Sequence, residues 1–278
     1  MNIAIALRQA CADLEIISDS PRLDAELIFA FALKRTRTYL YSHGDEDLTF
    51  EQQKYLSTLL KIRQQSIPVA YIVGEKEFWS LKFLISPTTL IPRPATECLI
   101  EYVLQHYPEN QELKVCDLGT GSGAIAVSIA KERPLWDITA VDIQASALAM
   151  AEYNARHHHC FNIHFYCSHW FDKIPSQQFD IIISNPPYIN ANDPHLKTGD
   201  VQHEPSLALQ SHEHGLHDIK HLILHSQSHL KPQGLLILEH GYDQQEQVLA
   251  ALKQQGFKNI QGLFDHDKLP RFCVAYCM

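Results

Sequence analysis

From residue 114 onward, short apolar runs alternate with longer amphipathic segments, and this alternation constrains the fold more than any other feature. Lys114–Leu118 has the length and composition of a buried strand, and Phe179–Ser184 contains three consecutive isoleucines. Strands that are apolar on both faces are typical of parallel sheets covered by helices on both sides. The sequence therefore predicts an α/β domain with a mainly parallel, doubly wound sheet. The other predicted strands are 138–141, 162–167, 235–239, 260–264 and 272–276, and the predicted helices are 123–132, 145–156, 219–230 and 244–255.

The first 68 residues carry helix signals instead. Ser20 before Pro21 combines a capping residue with a proline of the first helical turn. Thr49 followed by Gln52 is a capping-box pattern that opens a further helix. We therefore expect a small helical bundle over residues 1–68.

A change of pattern separates this bundle from the α/β part of the chain. Val69–Val73 and Leu81–Ile85 are rich in β-branched and aromatic residues, which favour strands. The sequence therefore predicts a β-hairpin linker over residues 69–92. The α/β domain then covers residues 93–278.

Composition narrows the classes of function. The 278 residues carry a formal net charge of -9, which argues against a broad, sequence-independent grip on DNA or RNA. The seven cysteines form no CxxC pair, which indicates reduced thiols and no zinc site. No stretch has the apolar length of a membrane span. We expect a cytoplasmic monomer that contacts neither nucleic acid nor membrane and holds no metal.

A glycine-rich loop follows the first strand and is predicted to bind the cofactor. Its spacing is G-x-G-x-G, whereas the dinucleotide fingerprint is G-x-G-x-x-G. The preceding acid, Asp117, suits the ammonium group of S-adenosylmethionine better than a pyrophosphate. Asp142 ends the second strand, where it would bind ribose hydroxyls, although NAD enzymes also use an acid there. The loop residues are Gly119, Thr120, Gly121, Ser122 and Gly123.

The fourth strand ends in Asn185-Pro186-Pro187-Tyr188, the most specific motif of the chain. A carboxamide or arylamine nitrogen is a poor nucleophile because its lone pair is delocalised. The Asn185 Oδ1 and the Pro186 carbonyl are suited to hold such an NH2 group by its two hydrogens, and Tyr188 would pack on the planar group. Positioning then supplies most of the rate enhancement. Because this loop and the glycine loop open on one edge of the sheet, a mere turn is the weaker interpretation.

Together these motifs make the chain resemble the protein-(glutamine-N5) methyltransferases of peptide chain release factors. The similarity extends from the helical N-terminus through G-E-K-E-F-W, I-P-R-P-x-T-E at 91–97, D-L-G-T-G-S-G and N-P-P-Y-I to L-L-I-L-E-H-G at 235–241. It implies a class I methyltransferase domain, with S-adenosyl-L-methionine converted to S-adenosyl-L-homocysteine. It also implies that Trp170 and Asn185 contact the cofactor, and that Asn185 to Tyr188 hold the glutamine of a Gly-Gly-Gln loop. The N-terminal bundle would bind the body of the release factor.

Two positions depart from the family pattern. His169 stands where the family has an aspartate that would meet the adenine amino group, and Ala95 replaces an acid. Neither residue belongs to the predicted nitrogen-holding pair. Arg93 and Glu97 leave two interpretations open, an ion pair that fixes the linker and a direct catalytic role.

Three other functions remain to be compared with this one. The N-P-P-Y motif also occurs in enzymes that methylate adenine N6 or guanine N2, but these extrude a base and usually carry a basic recognition surface. A cofactor-binding scaffold would not need both motifs. A nicotinamide oxidoreductase is disfavoured by the glycine spacing.

Overall fold

The computed structural model describes residues 1–278 and divides them into two units. The smaller unit comprises residues 1–75 and 194–203, and the larger comprises residues 76–193 and 204–278. Within the smaller unit, the buried Arg63 donates to Asp24 at 2.8 Å and to Asp200 at 2.7 Å, which ties the insertion 194–203 to the helices. None of the helices in either unit has the length and apolar character of a bilayer span.

Five helices form most of the smaller unit, and apolar side chains from all of them share one core. They are α1 (Ile3–Leu14), α2 (Pro21–Leu33), α3 (Arg37–Ser42), α4 (Phe50–Arg63) and α5 (Val69–Val73). The predicted capping box of α4 is confirmed. The Gln52 amide donates to Thr49 Oγ1 at 3.2 Å, and the Thr49 amide donates to Gln52 Oε1 at 2.9 Å. Local sequence therefore fixes where α4 begins.

The prediction of a strand at Val69–Val73 is wrong, because this segment is the helix α5. Pro68 caps its first turn, and Gly74 ends it in the left-handed conformation with a φ of 79°. A proline before a helix and a glycine after it are strong boundary signals. Packing of the first valine into the helical core outweighs the context-dependent strand preference of β-branched residues. The hairpin is correspondingly shorter, with strands β1 (Glu75–Phe78) and β2 (Leu81–Leu84).

The larger unit continues as a regular succession of strands and helices. Its elements are α6 (Glu97–His106), β3 (Lys114–Leu118), α7 (Ala124–Glu132), β4 (Asp137–Asp142), α8 (Ala145–His157), β5 (Ile163–Cys167), β6 (Phe179–Ser184), β7 (Ile189–Asn190), α9 (Ser206–Leu209), β8 (Gln210–Ser211), α10 (His212–Gly215), α11 (His217–His229), β9 (Leu230–Glu239), α12 (Gln245–Gln254), β10 (Lys258–Phe264) and β11 (Pro270–Tyr276). Every strand and helix predicted after residue 113 is present. The strands Lys114–Leu118 and Phe179–Ser184 have the predicted bounds, and each of the others has at least one shifted end.

Seven of these strands form one sheet in the order β10-β11-β9-β6-β3-β4-β5. Strands β9, β6, β3, β4 and β5 run parallel to one another, whereas β11 pairs antiparallel with β9 and β10. The predicted fold class, a mainly parallel doubly wound sheet, is confirmed. Strand β3 lies between β6 and β4, so the strand order reverses beside β3. At such a switch point the loops that follow neighbouring strands diverge and leave room for a ligand.

Candidate active site

A cavity opens at the carboxyl edge of the sheet, where the chain leaves β3, β4, β5 and β6. Its volume of about 270 Å³ lies near the lower end for small-molecule pockets, which is roughly 300 Å³. The cavity therefore suits an organic ligand rather than a single water or ion. The predicted site residues in its wall are Gly119, Gly121, Asp142, Trp170, Asn185 and Pro187.

The remaining predicted site residues lie outside the cavity wall. They are Asp117, Thr120, Ser122, Gly123, Pro186 and Tyr188. The wall also includes segments 88–90 and 207–208 and the side chains of His212, His217 and Asp218, for which no sequence signal was recognised. These segments come from distant parts of the chain, and only the fold brings them to the edge of the sheet.

The glycine loop is bonded to the neighbouring strand β4. The amides of Gly119 and Thr120 both donate to the Val141 carbonyl at 2.8 Å. The Gly121 amide donates to Asp142 Oδ2 at 2.9 Å. Gly121 has a φ of 56°, and no atom lies within 4 Å of the position that a Cβ would take. The loop backbone is therefore fixed on its strand side and open on its cavity side.

Asp117 lies beneath this loop and is fully buried. Its Oδ2 accepts from the Thr120 hydroxyl at 2.6 Å and from the Ala126 amide at 3.2 Å, while its Oδ1 has no hydrogen-bond partner. Burial raises the pKa of this carboxyl to about 7, and the nearby charge of Asp142 acts in the same direction. Asp117 thus shapes the loop, and one of its oxygens remains unsatisfied.

Asp142 and Trp170 both contact the glycine loop and line the cavity. Asp142 accepts from the amides of Gly121 and Gln144, both at 2.9 Å, and burial raises its pKa. The Trp170 ring would lie 3.4 Å from a Cβ on Gly119, so the indole covers the loop. Trp170 also has a φ of 47°, an unusual backbone conformation for a bulky residue, and its Nε1 is buried without a partner. Strain and an unpaired donor at one residue are typical of a ligand site.

The N-P-P-Y turn begins where β6 is tied to β3. The Ser184 hydroxyl donates to the Leu118 carbonyl at 2.6 Å, which joins the ends of the two strands. Asn185 Nδ2 lies 3.1 Å from the Thr96 hydroxyl, and the Asn185 side chain borders the cavity. Tyr188 donates its hydroxyl to Glu239 at 3.0 Å, and burial raises the pKa of the phenol. The turn is thus anchored at both ends.

Sequence reasoning missed Thr96 and Glu239 as site residues. Both are buried, and the Thr96 hydroxyl lies 2.7 Å from Glu239 Oε2. The available signal was an acid that directly follows the apolar run 235–238, because a carboxylate at the end of a buried strand needs dedicated partners. Burial raises the pKa of Glu239, and the hydroxyls of Thr96 and Tyr188 oppose this shift.

The interpretation of Arg93 and Glu97 as an ion pair is wrong. Arg93 is paired with the buried carboxylate of Glu204, which also accepts from the Ile91 amide at 3.0 Å. Glu97 instead accepts from the Trp79 amide at 2.8 Å. The segment 91–97 is therefore held by a residue more than a hundred positions away. His169 lines the cavity, with its Nδ1 3.6 Å from Asp172.

Comparisons with known proteins agree with this architecture. The family model described as Methyltransferase small domain matches residues 94–203, and the PrmC N-terminal domain matches residues 6–74. The chain is 46% identical over 249 residues to the release factor glutamine methyltransferase of Salmonella typhimurium, with 90% of each chain covered. It is 42% identical to that of Coxiella burnetii, with 99% of each chain covered, and 45% identical to that of Escherichia coli, covering 94% of this chain and 93% of the relative.

Solved structures share the fold at low sequence identity. A methyltransferase from Pyrococcus furiosus has a TM-score of 0.55 at 16% identity and covers 78% of this chain and 98% of its own. The Thermus thermophilus 16S rRNA N2 G1207 methyltransferase has a TM-score of 0.54 at 15% identity, over 73% of this chain and 50% of its own. These likenesses concern the fold, whereas the sequence matches span nearly the whole chain. This protein belongs to the release factor glutamine methyltransferase family.

Proposed function

We propose that this protein transfers a methyl group from S-adenosyl-L-methionine to the side-chain amide nitrogen of the glutamine in the Gly-Gly-Gln motif of peptide chain release factors. The observation that carries the proposal is the Asn185 carboxamide, which borders the cavity while its nitrogen is engaged with Thr96. The names and the end-to-end similarity of the relatives support the same substrate. The enzyme would act in the cytoplasm as a monomer.

The residues around the cavity fit this cofactor. When bound, it supplies a methyl group on a positively charged sulfur. Asp142 has carboxylate lone pairs for ribose hydroxyls, and Trp170 offers an aromatic wall for the adenine. Gly119 and Gly121 let the loop backbone approach the ligand. Asp117 lies beneath the loop and outside the cavity wall, and its unpaired Oδ1 is the proposed partner of a cationic group such as an ammonium. Contacts from Thr120, Ser122, Gly123 and Asn185 complete the proposed set.

The proposed mechanism relies on two fixed acceptors. Asn185 Oδ1 and the Pro186 carbonyl each accept one hydrogen of the glutamine NH2, so that the nitrogen lone pair localises and faces the methyl group. Pro187 stiffens the turn and carries no amide hydrogen that could compete. Tyr188 packs against the planar amide. The nitrogen becomes acidic as the new bond forms and gives one of its two protons to solvent, so a strong base is not required. Positioning with electrostatic stabilisation supplies the rate.

A mass-spectrometric assay tests this function. A release factor incubated with enzyme and cofactor should gain the mass of one methylene group on a single glutamine, and a factor with that glutamine changed to alanine should gain nothing. Asn185→Ala should lower kcat by roughly 10²- to 10³-fold, as expected for loss of one preorganised contact. Turnover near the wild-type value in Asn185→Ala would remove the mechanism.

Methylation of a nucleic-acid base is the alternative, and the relatives do not favour it. The net charge of -9 also opposes an extended phosphate contact. The likeness to an rRNA methyltransferase concerns the fold only, at 15% identity. Labelled cofactor supplied with DNA, RNA and protein acceptors separates the two functions, because transfer to nucleic acid alone would reverse the ranking.

The helical part, predicted as residues 1–68, is proposed to bind the body of the release factor. Large apolar side chains are exposed on it: Ile16 is 95% exposed and Phe50 is 81% exposed. These side chains are free to contact a protein partner. An intact release factor should therefore show a lower KM than a free Gly-Gly-Gln peptide, and equal KM values would contradict this role.

A further inference from the structure

We propose that Glu239 and Thr96 are positioning residues that hold the Asn185 carboxamide with its oxygen, and not its nitrogen, available to the substrate. The inference rests on the proposed function, in which Asn185 Oδ1 accepts a hydrogen from the glutamine amide. It deepens that function by explaining how one of two nearly isosteric orientations of the amide is selected.

The hydrogen bonds of Thr96 have a fixed direction. An ionised carboxylate only accepts, so the single hydroxyl hydrogen of Thr96 goes to Glu239 Oε2 at 2.7 Å. The Thr96 oxygen can then only accept from its other neighbour, the Asn185 side chain at 3.1 Å. That neighbour must be the NH2 group, because the amide oxygen has no hydrogen. The Asn185 Oδ1 therefore faces away from Thr96.

This direction depends on the charge state of Glu239. Its other oxygen accepts from the Tyr188 hydroxyl at 3.0 Å, so each carboxylate oxygen faces a hydroxyl donor. The charges of Arg271 and Arg93 also lower its pKa and oppose the effect of burial. Burial still raises the pKa of Glu239 overall, but both carboxylate oxygens accept from a hydroxyl, which is the arrangement of an ionised carboxylate because a protonated one would donate from one oxygen. The ionised form is the one that orders Thr96.

This chain of bonds is rigid. In the sheet, β9 is parallel to β6 with Leu238 opposite Ser184, so Glu239 emerges beside Asn185. Glu239 is 1% exposed and Thr96 is 4% exposed. Water therefore cannot reach Glu239 or Thr96 to replace a lost hydrogen bond unless the surrounding side chains move apart. The bonds Tyr188–Glu239–Thr96–Asn185 connect both ends of the N-P-P-Y turn through one buried carboxylate.

A flipped Asn185 would present an NH2 group to the NH2 group of the substrate. One acceptor would be lost and two donors would face each other. Thr96→Val keeps the shape of the side chain but removes the hydroxyl, so both orientations become accessible. Glu239→Gln allows the new amide to donate to Thr96, which frees the Thr96 hydroxyl to bind the Asn185 oxygen and favours the flipped state. Both variants should therefore lower kcat.

The experiment is a double-mutant cycle on kcat with a release factor as substrate. Thr96→Val should lower kcat by about 10-fold in the otherwise wild-type enzyme, the size of one net hydrogen bond. In the Asn185→Ala background it should cause no further loss, because no amide remains to be oriented. Thr96→Ser retains the hydroxyl and should restore kcat. Calorimetric affinity for the cofactor should be unchanged in Thr96→Val, whereas its unfolding temperature should fall, because the buried Glu239 loses one hydrogen-bond donor.

Several results would overturn the proposal. The first is a wild-type kcat in Thr96→Val. The second is an equal loss of kcat on Thr96→Val in the wild-type and Asn185→Ala backgrounds. The third is a kcat in Thr96→Ser as low as that of Thr96→Val. If Thr96→Val is unstable, the same cycle with Glu239→Gln decides the question. Failure of the proposed function is recognised separately, because the wild-type enzyme would then leave the release factor unmethylated.

Discussion

Gly215 packs directly against the N-P-P-Y turn, and its replacement tests whether that turn tolerates displacement. Its φ is 87°, and a Cβ would lie 2.0 Å from the Tyr188 carbonyl oxygen and 2.7 Å from Gln244 Nε2. The same Gln244 nitrogen donates to the Tyr188 carbonyl at 2.9 Å. Gly215→Ala must therefore move the backbone of the turn, since a contact of 2.0 Å is not possible.

The chain contains a matched control for this variant. Gly256 also has a φ of 87°, but the nearest atom to its Cβ position is 3.9 Å away. Gly256→Ala should cost about 1–2 kcal/mol from the left-handed backbone alone. Gly215→Ala should cost that amount plus about 1–3 kcal/mol for overpacking. The difference between the two variants isolates the steric effect on the turn.

Urea unfolding and steady-state kinetics measure both consequences. We expect Gly215→Ala to have a lower free energy of unfolding than Gly256→Ala by about 1–3 kcal/mol. We also expect a loss of kcat of at least about 10-fold that Gly256→Ala does not show, because the Pro186 carbonyl moves with the turn. Equal stability and equal kcat in the two variants would refute the packing argument.

Two further predictions concern the cofactor side of the site. Burial raises the pKa of Asp117 to about 7 in the folded protein, so the folded state keeps a proton that the unfolded chain loses near pH 4. The free energy of unfolding should therefore be highest below about pH 4 and should fall as the pH rises from there to about 7. Asp117→Asn should remove this fall, which urea unfolding at pH 5 and pH 8 measures, and an unchanged pH dependence would contradict the assignment. His169→Asp restores, at the cavity wall, the acid implied by the family resemblance. Calorimetry should then show cofactor binding about 10-fold tighter, because the carboxylate can form a charge-assisted hydrogen bond with the adenine amino group. Weaker or equal binding would exclude that contact.

The sheet could be predicted from sequence because its signals are local. The strand Phe179–Ser184 was predicted with the bounds that it has, and the apolar runs placed every other strand of the sheet. The same local rules failed at Val69–Val73, where the Pro68 and Gly74 boundaries and tertiary packing outweigh β-branching. They also missed α6, which follows a proline-rich segment that reads as extended.

The candidate site was only partly predictable for a different reason. The two motif loops could be assigned to one edge of the sheet, because the alternating pattern indicates parallel strands, and the carboxyl ends of parallel strands lie at the same edge. The residues that contact those loops could not be predicted from the sequence. Thr96 meets Glu239 across 143 positions, and Arg93 meets Glu204 across 111 positions. No periodicity in the sequence encodes such pairs. An Arg93–Glu97 pair was one of two interpretations left open, and its absence shows that nearness in sequence is a poor guide.

The central claim is that Asn185 Oδ1 and the Pro186 carbonyl together hold the glutamine NH2. A crystal structure of the protein with S-adenosyl-L-homocysteine and a Gly-Gly-Gln peptide tests it most directly. We expect the glutamine nitrogen at about 3 Å from both oxygens, with Asn185 Nδ2 still bound to Thr96. A glutamine amide bound elsewhere, or an Asn185 side chain turned away from the cavity, would contradict it.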